Sequence, residues 1–419
     1  YEMIDLFSNY ENRKHDLLAQ LIPLLHPIYT LKELEALRIE PIAQESLSIH
    51  SGYGFVNREI LETVLGNLLE CVAPGSHNAS PHQQQDLSNC MSEVSDQLYA
   101  MISQSFLAVK DSHRLSENDI IDLAIEITFD ILSDLPRLKS RAFWNRFASL
   151  KDPAVWDAYL LSLCEDHAKI KEIDLSTRIN TAISERNYRL YQDFLEAHEL
   201  AFALDYQMQL VVSTYPGWRV LFYHDVAHQL VQGKVGFIPV PLLPRAISEL
   251  AGRYYQADLH PETRIGDANF FDHTHRGITT GQTGIIGSGC VIYPCTLGGL
   301  SEKVHQRHPS IGNYAQISTD VGIFGPVKVG NYSIIGANTE LYGFVETGQY
   351  CRIGSSVVIG TVRMAEMVPG RIILGDHVRI ADGTVIENNL STDLVIDDST
   401  QIPARSYVIN DGKGNPKLA

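Results

Sequence analysis

Three short runs carry residue types that can do chemistry together: Asp258–Leu259–His260–Pro261, Asp272–His273–Thr274–His275 and Arg307–His308–Pro309. A carboxylate bonded to one imidazole nitrogen fixes the ring's tautomer and makes the other nitrogen a better general base. An architecture repeating about every 18 residues would set a pair spaced like Asp258 and His273 on neighbouring coils. Arg307 offers an anion clamp and His308 a second imidazole. His260, directly before a proline, reads as structural. A metal site drawn from His273, His275, His305 and His308 is the competing arrangement. Their spacing is not that of a ligand motif, and no metal is expected.

What must position these residues is a periodic stretch. Over residues 311–360 an apolar residue recurs every six positions, at Ile311, Ile317, Ile323, Val329, Ile335, Leu341, Ile353 and Ile359, with Thr347 the one exception. Glycine follows directly at Gly312, Gly330, Gly336, Gly348, Gly354 and Gly360. A period of six is neither helical nor a simple strand alternation. It suits a β-solenoid in which each hexad makes one short side and three make a coil. The pattern begins at Ile265–Gly266 and includes Thr280–Gly281, Ile286–Gly287 and Ile292. It is lost over residues 298–310, a polar loop that carries Arg307 and His308, and loops thrown out of a solenoid commonly carry its binding surface. It resumes at Leu374–Gly375, Ile380 and Ile386, and residues 388–419 read as an irregular cap or tail.

Residues 1–254 read instead as helical, with a polar linker near 75–86. Ser116–Glu117–Asn118–Asp119 is a candidate helix cap, leading into a stripe of Ile120, Leu123, Ala124, Ile127 and Ile131 that Pro136 is expected to interrupt. The fold class is therefore α+β and multi-domain: a helical region over 1–254, then a parallel β-solenoid over 255–387. The formal net charge of −17 argues against nucleic acid or an anionic membrane as partner. No run approaches the ~18 apolar residues of a membrane span, and residues 1–14 lack the apolar core of a signal peptide. The chain opens on Tyr1, which leaves a removed leader open. Six cysteines without a CxxC pair read as reduced thiols, so the cytoplasm is the expected compartment.

Taken in order, Tyr215–Pro216–Gly217, Val226–Ala227–His228, Asp258–Leu259–His260–Pro261, Ile265–Gly266, Phe271–Asp272–His273, Thr296–Leu297–Gly298–Gly299 and Arg307–His308–Pro309 resemble the serine O-acetyltransferase family, hexapeptide-repeat enzymes of cysteine biosynthesis. The match runs from Tyr215 to Gly360, and the helical part is similar to the longer-headed members. The resemblance implies a left-handed parallel β-helix, and a homotrimer or a dimer of trimers. It implies His273 as general base paired with Asp258, Asp272 on the substrate amino group, Arg307 on its carboxylate and His308 beside it. Gly298, Gly299 and Thr319 would lie along the acetyl-CoA, which is a co-substrate and not a permanently bound cofactor.

The family's Asp-Pro-Ala element, whose aspartate also recognises the amino group, is matched by Asp152–Pro153–Ala154, but the stretch from Pro153 to Tyr215 is then longer than the family pattern, an insertion near 155–204, and Asp205 is the nearer alternative, without the Pro-Ala. Asp225 and Thr274–His275–Arg276–Gly277 depart from the family pattern on the acceptor side. A different small hydroxyl acceptor, a catalytically silent scaffold and a zinc-dependent solenoid carbonic anhydrase are the alternatives. A complex with cysteine synthase is not expected, because the chain's last residues lack the isoleucine such docking uses.

Overall fold

The computed structural model describes residues 2–25, 58–74, 84–107, 114–147, 211–232, 238–300, 306–361 and 368–418. Asp152, Asp205, His305, residues 75–83 of the expected linker and the whole of 155–204 lie outside them. Two compact units emerge, Tyr1–Leu250 and Ala251–Ala419.

The first unit holds helices α1 (Glu2–Leu25), α2 (Arg58–Val72), α3 (Gln84–Leu107), α4 (Glu117–Phe147) and α5 (Pro216–Gln229). Helix α6 (Leu243–Tyr255) runs into the second unit. The cap expected at Ser116 forms reciprocally. The Asp119 N–H donates to Ser116 Oγ at 3.1 Å, while the Ser116 N–H donates to Asp119 Oδ2 at 2.8 Å. The stripe behind it buries Ile120, Ala124, Ile127 and Ile131. Pro136 does not interrupt α4 but lies inside it. Proline costs a helix one hydrogen bond, and here Leu132, Leu135 and Leu138 are buried on both sides of it, so packing holds the helix through the defect. A polar cluster sits in this core: the Tyr10 hydroxyl donates to Asp96 at 2.6 Å, and the Lys14 ammonium stands 3.2 Å from the same carboxylate. Among the described residues, no helix is long and apolar enough to cross a membrane.

The second unit is a parallel β-solenoid of about seven turns. Its short strands stack into three sheets. Sheet A runs from Ala257–Asp258 up to Tyr407–Asn410, sheet B from Arg264–Ile265 to Leu394–Ile396, and sheet C from Phe270–Phe271 to Gln401–Ile402. Each hexad places one apolar residue inside: Ile311, Ile317, Ile323, Val329, Ile335, Leu341, Ile353 and Ile359 are all buried. Strand pairing puts Ile317 beneath Ile335 and Ile335 beneath Ile353, so each of these two coils is made of three hexads. The other coils are longer: Phe271 pairs with Ile292, Ile292 with Ile317 and Ile353 with Ile380, each further apart in sequence than three hexads. The extra residues are carried at the corners, so the flat sides keep their register.

Where the sequence suggests an irregular tail beyond Asn388, the ladder carries on. Leu394–Ile396, Gln401–Ile402 and Tyr407–Asn410 add a further coil, and Pro416–Leu418 closes sheet A as an antiparallel strand on Tyr407–Asn410. Asn388 and Asn410 are both buried, two residues beyond the inward Ile386 and Val408. Their amide groups satisfy the Gly370, Arg371 and Thr392 carbonyls that a tight final coil leaves facing inward.

Candidate active site

The two solenoid corners that bound sheet A carry the residues singled out by the sequence. At the first, between sheets C and A, seven positions separate Phe271 from Ile278, against three from Ile292 to Cys295 and four from Ile317 to Val321 at the same corner of the next coils. The excess forms a short 3-10 turn, Thr274–Arg276, that stands out from the prism. Asp272 and His273 lead into it. His273 adopts a left-handed conformation (φ 51°) and its side chain is 61% exposed.

The His273 ring faces the adjacent carboxylate. Nε2 lies 3.7 Å from Asp272 Oδ2, while the other Asp272 oxygen accepts the His273 backbone N–H at 2.8 Å. His275 stands edge-on, ring centres 5.9 Å apart. Burial and the nearby Asp272 charge push the Tyr293 hydroxyl up. Asp258 is on the outward face of sheet A, and the residue stacked above it is Thr279, followed by Thr296. The sequence spacing therefore does not set His273 one coil above Asp258. The coil is longer than three hexads there, Phe271 pairing with Ile292, so His273 falls at the end of the same coil that Asp258 opens.

The sequence marks Arg276 only as part of a departure from the family pattern, with no partner. Its guanidinium reaches Thr319 Oγ1 at 3.3 Å and Asp320 Oδ2 at 3.1 Å, so it fastens the extra turn to a coil above. Thr319 is thus engaged with Arg276, and no signal short of the corner geometry would have paired them.

Arg307, His308, Gly298 and Gly299 gather at the second corner, between sheets A and B. His308 is 7% exposed, and its ring lies in a slot bounded by two glycines: a Cβ at Gly281 or at Gly299 would overlap it. Thr283 holds the other side. Its hydroxyl is 2.9 Å from His308 Nδ1, and its oxygen accepts the backbone N–H of both Arg307 and His308 at 3.1 Å. Gln306 closes the loop onto the Thr283 carbonyl at 2.5 Å. Burial, followed by the Arg307 and His260 charges, pushes the His308 ring below its ordinary value of 6.5. The Gly298 carbonyl accepts the Gly325 N–H at 3.0 Å, and its Cα lies under the Phe324 ring.

The two corners do not converge on one chain. A sheet A side of about four extended residues, ~13 Å, separates them, which exceeds the reach of a single small metabolite. Among the described residues no group of three His, Cys, Asp or Glu is arranged to hold a metal ion.

The serine acetyltransferase of Synechococcus elongatus is 33% identical to this chain over 120 residues, covering 28% of this chain and 47% of that protein. Part of this chain is homologous to serine acetyltransferases. The enzyme of that name from Bacillus licheniformis is 35% identical over 120 residues, 28% of this chain and 53% of that one. The chain spans about half the length of the curated relatives it matches. Among solved structures, serine acetyltransferase 1 of Entamoeba histolytica in complex with L-cysteine is similar at 16% identity and a TM-score of 0.42, over 93% of this chain and 98% of that one. No family model matches.

Proposed function

We propose that the protein is a serine O-acetyltransferase, moving the acetyl group of acetyl-CoA to the hydroxyl of L-serine. The observation that carries this is the 120-residue homology to enzymes of that name. His273, held out on an exposed turn, takes the hydroxyl proton as the oxygen attacks the thioester carbonyl, and the coenzyme leaves as its thiol. Asp258 or Asp272 orients the imidazole; the 3.7 Å approach of Asp272 supports the nearer one in the free chain. Asp272 also binds the amino group, with Asp152 as a second carboxylate for it, and Arg307 clamps the carboxylate beside His308. Gly298, Gly299 and Thr319 line the acetyl-CoA, with a glycine N–H facing the developing oxyanion.

Because one chain holds its two corners ~13 Å apart, a homotrimer or dimer of trimers that sets the His273 corner of one copy beside the His308 corner of the next is the assembly that fits. The reading includes a cytoplasmic enzyme with no resident cofactor. The turn Thr274–Gly277, tied down through Arg276, favours a second reading in which another small hydroxyl compound is the acceptor. A panel of hydroxyl amino acids assayed for acetyl-CoA-dependent thiol release separates the two. His273→Ala is expected to lower turnover ~100-fold or more while leaving the oligomer folded. Undiminished turnover in that variant would reject the mechanism.

A further inference from the structure

We infer that Thr283 is a positioning residue that holds the His308 imidazole as its Nε2–H tautomer, so that His308 meets substrate as a hydrogen-bond donor and not as a second base. The argument is one of donors and acceptors. The backbone N–H of Thr283 points at His308 Nδ1 from 3.3 Å. A backbone N–H can only donate, so Nδ1 must present a lone pair. The Thr283 hydroxyl lies 2.9 Å from the same nitrogen, and its oxygen already accepts two backbone N–H groups, those of Arg307 and His308. Its own proton is therefore the group left to face Nδ1. With Nδ1 receiving two donors, the proton of the neutral ring resides on Nε2. Nε2 has no hydrogen-bond partner among the described residues, and it is the ring atom nearest the two glycine walls at Gly281 and Gly299.

Burial first, and then the charges around the ring, favour its neutral form. Its own loop contributes the Arg307 cation, and the segment below contributes His260, whose charge opposes a second one. The Glu262 carboxylate on that segment is held by Gln282 at 3.0 Å. A hydrogen bond donated to Nδ1 stabilises the unprotonated nitrogen, so removing the Thr283 hydroxyl should let the ring take up a proton at higher pH. A threonine that only filled space would have no such effect.

The ring-state part of this inference stands on geometry; the part that concerns substrate rests on the acetyl transfer proposed above. The test uses the full chain labelled with 15N-histidine, the His308 signals being assigned by their loss in His308→Gln. In the parent, Nδ1 should appear unprotonated and Nε2 protonated near neutral pH. Thr283→Val should raise the pH at which the ring titrates, and Thr283→Ser should restore the parent value. In thiol-release kinetics, Thr283→Val should raise the acceptor KM about tenfold with the acetyl-CoA KM unchanged, and Thr283→Ser should recover it. A parent ring protonated on Nδ1, or a titration that does not move in Thr283→Val, overturns the inference. Absence of acetyl transfer to every acceptor rejects the proposed function and leaves the ring titration to decide on Thr283.

Discussion

Two corners of the same solenoid use the same backbone for opposite ends. Between sheets B and C the turn is nearly identical from coil to coil: Gly312–Asn313–Tyr314, Gly330–Asn331–Tyr332, Gly348–Gln349–Tyr350 and Gly375–Asp376–His377. Asn331 accepts the backbone N–H of Asn313 at 2.8 Å, Asp376 that of Gln349 at 2.7 Å, and the four rings stack at 4.9, 4.8 and 5.0 Å. Each coil there satisfies the one below it. Between sheets A and B the described turns differ in length, apart from the aligned pair at Gly325 and Gly343, and the turn that ends at Pro309 holds a buried imidazole whose Nε2 makes no hydrogen bond among the described residues. Repetition fills hydrogen-bonding capacity; chemistry needs a place where the repeat is broken and one group stays unpaired.

Equivalent glycine substitutions at the two corners probe this division, and they carry the largest expected effect. At Gly281 the three atoms nearest an added methyl all belong to the His308 ring. The ring can swing out, losing Thr283, while the backbone keeps its spacing. Gly281→Ala should therefore lower kcat/KM for the acceptor ~100-fold, as expected when a binding group is displaced by an ångström or more, with the melting temperature nearly unchanged. At Gly312 the methyl meets the backbone of Asn331 at 2.7 Å and of Gly330 at 2.8 Å, and backbone cannot swing aside. Gly312→Ala should cost ~1–3 kcal/mol of stability, the usual effect of overpacking, and leave kinetics of the surviving fold alone. Equal losses of stability in both variants would erase the distinction between the corners.

A smaller effect is expected from Arg307. Its backbone is fixed by Thr283, so Arg307→Ala should leave the loop in place and remove only a charge-assisted contact. The acceptor KM should rise roughly tenfold, and the acetyl-CoA KM should stay where it is. A change confined to acetyl-CoA would move this corner to the other substrate. Loss of the loop's function altogether would assign the clamp a structural part.

The difference between the corners also explains what the sequence disclosed. The flat sides were legible because burial demands an apolar residue every sixth position, as Ile317, Ile323 and Val329 show. The histidines and acids were legible as types, but their mutual placement was not. Asp258 and His273 look one coil apart only if every coil is three hexads long, and the pairing of Phe271 with Ile292 makes the first one longer. Insertions enter at corners, where they shift the apolar period, as over residues 298–310, without showing which side chains the longer coil brings together. Thr283 passed unremarked because a hydroxyl becomes informative only when its partners are known. The tail beyond Asn388 was misread because ten residues separate Ile386 from Ile396, which breaks the six-residue period before Ile396, Ile402 and Val408 restore it. In the helical unit, Pro136 was read by its local cost, and packing on both sides outweighed that cost.

The smallest effect belongs to the stacked corner. Tyr332 sits between Tyr314 and Tyr350, its planes tilted by 11° and 3° to theirs, and it is held at φ 57°. That conformation is costly for most side chains but tolerated by asparagine, so Tyr332→Asn removes the ring without adding backbone strain. Aromatic pairs contribute ~0.5–1.5 kcal/mol each beyond the area they cover, and two such pairs would be lost. The ring is 38% exposed, which keeps the associated loss of burial modest. A destabilisation of ~1–3 kcal/mol is therefore expected, read from denaturant midpoints, with the acceptor and acetyl-CoA kinetics unchanged. Altered kinetics with an unaltered midpoint would mean that the stacked corner takes part in the chemistry, and the separation of roles between the corners would fall with it.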